Sequence, residues 1–124
     1  MKVRMIIRAD TSLQAMQINN APYKVVRDIY KLKSLLAEEI ELVRTRQEEL
    51  LSNTGGVIQD GKSIVFPDVE KRMEYEKLVN ELMDSEVDLV FVPVDLTQFT
   101  DRIVFRNTDV DMDALSAFIQ FETE

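Results

Sequence analysis

Lys24, Arg27 and Lys31 stand at i, i+3 and i+7, the spacing that brings three cations onto one helix face within two turns. If the helix starts just before Lys24, this is the unfavourable end for positive charge. The macrodipole opposes it, and Arg27 with Lys31 is a like-charge i, i+4 pair, each effect costing about 0.3–0.5 kcal/mol. Free N–H groups, dipole and cationic side chains converging on one point suit an anion, and a phosphate or nucleotide is the ligand such chemistry takes. The plainer reading pairs the same cations with Asp28 and with the acidic C-terminal part of the chain. Tyr23, Tyr30 and Tyr75, with Met73 and Met83, could stack on a planar ligand, although aromatics and methionines on a helix face ordinarily belong to a core.

Other constellations reduce to structural roles. Asp109, Asp111 and Asp113 imitate the opening of a calcium loop, but Ala114 stands where that loop needs glycine and Gln120 where it needs glutamate. A cap for a following helix explains them better. Asn53-Thr54-Gly55-Gly56 follows a helix pattern and lacks the Gly-Lys-Ser/Thr continuation of a phosphate loop, so it is expected to cap the helix C-terminus. The glutamates at 38, 39, 41, 48, 49, 70, 74 and 76 suggest a di-metal bundle only in outline, because such sites need Glu-x-x-His pairs.

The chain has neither cysteine nor histidine. That removes disulfides, zinc-thiolate sites, Ser-His-Asp and Cys-His hydrolysis and the zinc deaminase chemistry. No pair of acids stands at a catalytic spacing, so no enzyme activity, metal or cofactor is expected. The 124 residues suffice for one domain, 1–124. No apolar run is long enough to cross a bilayer, which predicts an intracellular protein with no membrane partner. The net charge of −8 disfavours general nucleic-acid binding. It is unevenly spread: residues 1–83 carry thirteen acids and thirteen bases, and residues 84–124 carry ten acids against Arg102 and Arg106.

Those side chains need elements to hold them. Val3, Met5 and Ile7 alternate with more polar neighbours and read as an opening strand, followed by a short helix from Asp10 through Asn19. Pro22 opens a helix of roughly thirty residues, since Val25, Ile29, Leu32, Leu36, Ile40, Val43 and Leu50 recur at spacings of three, four or seven. Val57–Gln59 and Lys62–Phe66 flank Asp60-Gly61, the signature of a type I′ hairpin. Asp68 caps a second helix running to about Asp84. Val87–Val92 is the strongest strand former, ended by Pro93 and expected to pair with the first strand. A helical turn at Asp95–Phe99, a strand at Ile103–Phe105 and a helix at Asp111–Ile119 complete the reading.

The segment Asn19-Asn20-Ala21-Pro22-Tyr23-Lys24-Val25-Val26 through Leu32 resembles a class of small tailed-bacteriophage proteins of unknown function. The resemblance extends through the D-G hairpin, Tyr75 to Val87, and Leu115-Ser116-Ala117-Phe118-Ile119-Gln120-Phe121-Glu122. It implies a phage or prophage origin and a non-enzymatic role, in the host cytoplasm or associated with the virion. It supplies no site residues.

The expected fold is α+β: a long antiparallel helical hairpin with a β-hairpin between the helices, on a small sheet. The long helix exceeds what the second helix can cover, so Val25, Ile29, Leu32 and Leu36 are expected at the contact of a homo-oligomer. The expected function is interaction with a host or phage protein, in host takeover, anti-defence or assembly. The alternative is a sponge holding a nucleotide immune signal at an oligomer interface through Lys24, Arg27 and Lys31.

Overall fold

A computed structural model describes residues 1–106 and 110–121 of the chain. Helix α1 spans Val3–Ala15 and leads directly into strand β1, Met16–Ile18. Helix α2 spans Tyr23–Asn53, followed by β2 at Val57–Gln59, β3 at Ser63–Val65 and helix α3 at Val69–Met83. The chain continues through β4 at Val94–Asp95, a 3₁₀ turn at Thr100–Arg102 and β5 at Ile103–Phe105. Helix α4, Met112–Ser116, and strand β6, Ile119–Gln120, close it. This is an α+β fold.

The expected opening strand is a helix. Val3, Ile6, Ala9 and Leu13 are all buried, at spacings of three and four, so one helical face takes them together. A strand burying Val3, Met5 and Ile7 would turn Ile6 outward, whereas the helix buries it almost completely. Strand-like pairing survives only at the start, where Lys2 bridges Glu86, Val87 N–H donates to Met1 O at 2.8 Å and Val3 N–H to Ser85 O at 3.0 Å. The short helix expected through Asn19 stops at Ala15, because Met16–Ile18 pairs antiparallel with Phe105–Ile103.

The sheets are small, but among the described residues none is made from the first segment and the one around Val90. The described strands form three separate pairs, β1 with β5, β2 with β3 and, in parallel, β4 with β6. Val87–Val92, expected as the strongest strand, forms no strand at all, since the segment expected to pair with it is helical. The final helix is also shorter than expected, because Ile119 leaves it to pair with Val94.

Local signals held where the structure is local. Asp60 and Gly61 both have positive φ, 53° and 68°, and Ile58 faces Ile64 across the two strands. Asp68 caps α3 by accepting a 2.8 Å hydrogen bond from Lys71 N–H. Gly55, at φ 75°, ends α2, with Gly56 N–H donating to Leu51 O at 2.9 Å. Thr54 is buried there and donates its hydroxyl to Leu50 O at 2.8 Å.

The core lies where α1, the first half of α2, α4, β4 and β6 meet. Ile6, Leu13, Leu36, Leu96, Leu115, Phe118 and Ile119 are its most enclosed large side chains. Val25, Ile29, Leu32 and Leu36 belong to this same cluster. That corrects their expected place at a subunit contact. The chain's own terminal segments cover the N-terminal stripe of α2.

Candidate functional site

Lys24 and Lys31 line a cleft of about 660 Å³ between the start of α2 and the segment from Val90 to Pro93. Val25, Leu32 and Leu35 supply apolar wall from the helix, and Asp28 and Asp95 add two carboxylates. Helical spacing puts 24, 28, 31 and 35 on one side of α2, and the second wall comes from some sixty residues later in the chain. Arg27 stands outside this lining, exposed to solvent. The expected three-cation site is therefore a two-lysine site that also contains two acids.

The electrostatics are mixed rather than purely cationic. Among the described residues no carboxylate lies within 4.0 Å of the side-chain nitrogens of Lys24, Arg27 or Lys31, so none of the described acids of the C-terminal part makes the expected pairing. That acidity is used elsewhere: Asp84 meets Arg4 at 3.1 Å, Asp111 meets Arg8 at 3.9 Å, and Glu86 meets the N-terminal ammonium at 2.8 Å. Asp95 is held below its ordinary carboxylate value, first by the Thr97 hydroxyl at 2.7 Å, then by the Thr97 amide at 3.0 Å, and further by the field of Lys24. It stays ionised beside the cleft. Pro22 precedes α2 without any side-chain cap, its carbonyl accepting from Val25 and Val26 N–H at 3.0 and 3.2 Å.

Tyr23 and Tyr30, expected in a core, are strongly exposed, as is Met73. Tyr75 and Met83 are half-buried, and the Tyr75 ring packs on Phe66 with centroids 5.3 Å apart. Tyr30 instead joins Lys33, Arg106, Gln14 and Gln17 around a smaller cleft of about 370 Å³. The helical spacing of Tyr30 and Lys33 hinted at this grouping, but the approach of Arg106 depends on the pairing of β1 with β5.

The calcium-like run has a capping role. Asp111 caps α4 by accepting a 3.0 Å hydrogen bond from Ala114 N–H, while Asp109 lies outside the described residues. Among the described residues, no group of three or more acids could hold a metal ion, and no helix is long and apolar enough to cross a membrane.

A second surface is apolar. Both faces of the β2–β3 hairpin are open, with Val57, Ile58, Ile64 and Val65 between 43% and 59% exposed. Helix α3 buries none of its residues, leaving Val69 and Met73 in solvent beside a half-buried stripe of Leu78, Val79 and Leu82. Comparison with protein-family models, curated proteins and solved structures finds no match to this chain.

Proposed function

We propose that this chain is a non-enzymatic interaction protein of phage origin that binds a host or phage protein through the arm formed by the distal half of α2, the β2–β3 hairpin and α3. In this reading α2 and α3 run antiparallel, and the hairpin is the tip. The observation that carries it is the uncovered tip: four aliphatic side chains on both faces of a two-stranded hairpin, beside a helix with no fully buried residue. An isolated hairpin is marginal in water, and clustered exposed apolar residues mark interaction surfaces. The resemblance to small phage proteins supports the origin, and the lack of a catalytic constellation supports a role without chemistry.

The test compares tagged wild-type protein with an Ile58→Thr, Ile64→Thr variant, both recovered from infected host cells. Threonine retains β propensity while removing apolar surface. A protein retained in fixed ratio by the wild type and lost by the variant is the expected result. Equal retention by both, or no partner with the wild type, defeats the reading.

The two lysines lining the 660 Å³ cleft, without an ion-pair partner among the described residues, favour one second reading, the nucleotide sponge. Asp28 and Asp95 in the same walls oppose phosphate, so a nucleotide must bind with its anionic part against Lys24 and Lys31. Calorimetric titration with cyclic dinucleotides, comparing wild type with Lys24→Ala, Lys31→Ala, decides it. Equal heats in the two proteins end this reading.

A further inference from the structure

The five residues Asp88–Val92 are the most strand-prone in the chain, and among the described residues their backbone has no backbone hydrogen-bond partner. On one side Val87 is tied to Met1, by a 2.8 Å bond from its amide and a 3.1 Å bond from the N-terminal ammonium to its carbonyl. On the other side Pro93 has no N–H to continue a ladder. The segment between has the length of an ordinary strand. Its side chains already alternate as a strand's do. Leu89 and Phe91 turn toward the core, Phe91 packing on Phe118 with centroids 4.8 Å apart, while Val90 and Val92 are 94% and 83% exposed.

None of the described strands pairs with this edge. An exposed apolar strand edge is normally blunted by charge, covered or paired. We infer that the occupant is the same segment of a second copy, joined antiparallel about a twofold axis at Val90. Such an interface is closed and self-complementary, because each edge supplies what the other lacks. The register with Val90 opposite Val90 sets Leu89 against Phe91 and Asp88 against Val92. Val92 shares the cleft wall with Lys24 and Lys31 as well as Asp28 and Asp95, and the second copy's Asp88 arrives on the lysine side of it; none of the side chains of Asp88, Lys24 and Lys31 has an ion-pair partner within 4.0 Å among the described residues. This contact is separate from the arm and does not depend on the proposed function.

The experiment is mass measurement by light scattering on the full chain, across a range of concentrations. Wild type is expected at twice 14.4 kDa. Val90→Asp sets two carboxylates against each other on the axis and should give the monomer mass, as should Val90→Lys with two ammoniums. Mixing the two variants should restore the dimer. Val90 is almost wholly exposed, so neither change disturbs the core, and circular dichroism verifies the fold. Hydrogen exchange on wild type should show protection of alternate amides between Asp88 and Val92. A monomeric wild type, a dimer that Val90→Asp leaves intact, or edge amides protected only when another protein is added would each overturn the inference.

Discussion

The amide of Asp111 donates a 2.8 Å hydrogen bond to the buried hydroxyl of Ser12, fastening the start of α4 to α1 across a separation of 99 residues. Asp111 then caps α4 through its own carboxylate, and Arg8 lies 3.9 Å from that carboxylate on the same side of α1. One serine on the first helix thus orients the last.

Replacing Ser12 with alanine leaves the Asp111 amide without an acceptor in a partly buried place. The expected loss is about 1–3 kcal/mol of unfolding free energy. Faster hydrogen exchange at Asp111 and Ala114 than in wild type would locate the effect at the start of α4, and urea denaturation would measure its size.

Leu36 is fully buried within its own chain. Leu36→Ala should therefore cost about 2–5 kcal/mol. The loss should be the same at high and low protein concentration, because no second subunit is needed to bury it. Thermal melts at several concentrations check this, and a loss confined to dilute samples would return Leu36 to a subunit contact.

Asp10 is buried on α1 and its pKa is raised, chiefly because burial disfavours the charged form; the 2.8 Å bond from Gln14 and the field of Lys33 pull it partly back. A carboxyl whose folded pKa exceeds its unfolded one holds its proton longer in the folded state. Its contribution to stability is therefore present at low pH and is lost as pH rises through the folded pKa. Asp10→Asn keeps an oxygen to accept from Gln14 without the charge. It should stabilise the protein at neutral pH, with the gain shrinking as pH falls through the raised folded pKa and gone below the ordinary carboxylate value. Denaturation midpoints of both proteins as a function of pH test the sign.

Gly55 and Gly61 both have positive φ, 75° and 68°, but their surroundings differ. An added Cβ at Gly61 meets nothing within 4 Å, whereas at Gly55 it would lie 2.9 Å from Pro67 Cγ. Gly61→Ala should cost about 1 kcal/mol from backbone conformation alone, and Gly55→Ala more. Equal losses in denaturant titrations would refute the steric part.

Elements held by near neighbours were legible in the residues. Asp60-Gly61 specified its turn, Asp68 its cap and Gly55 the end of α2, because each acts on backbone groups within a few residues. The long periodic stripe specified α2. Of the cleft, the helix wall with Lys24 and Lys31 was readable from spacing; the wall at Val90–Pro93 and the displacement of Arg27 were not, since both depend on how distant segments pack.

Tertiary structure decided the rest. The residues from Val3 to Ile7 carry both a strand's alternation and, with Ala9 and Leu13, a helix's spacing, and packing against α2 and α4 selected the helix. That choice removed the expected partner of Val87–Val92. A strand exists only when another backbone answers its hydrogen bonds, so the strongest β-former in the sequence was left without a strand. The stripe of Val25, Ile29, Leu32 and Leu36 announced burial, but not which surface would cover it. Periodicity marks the apolar face, and only the folded chain brings the segments that meet it.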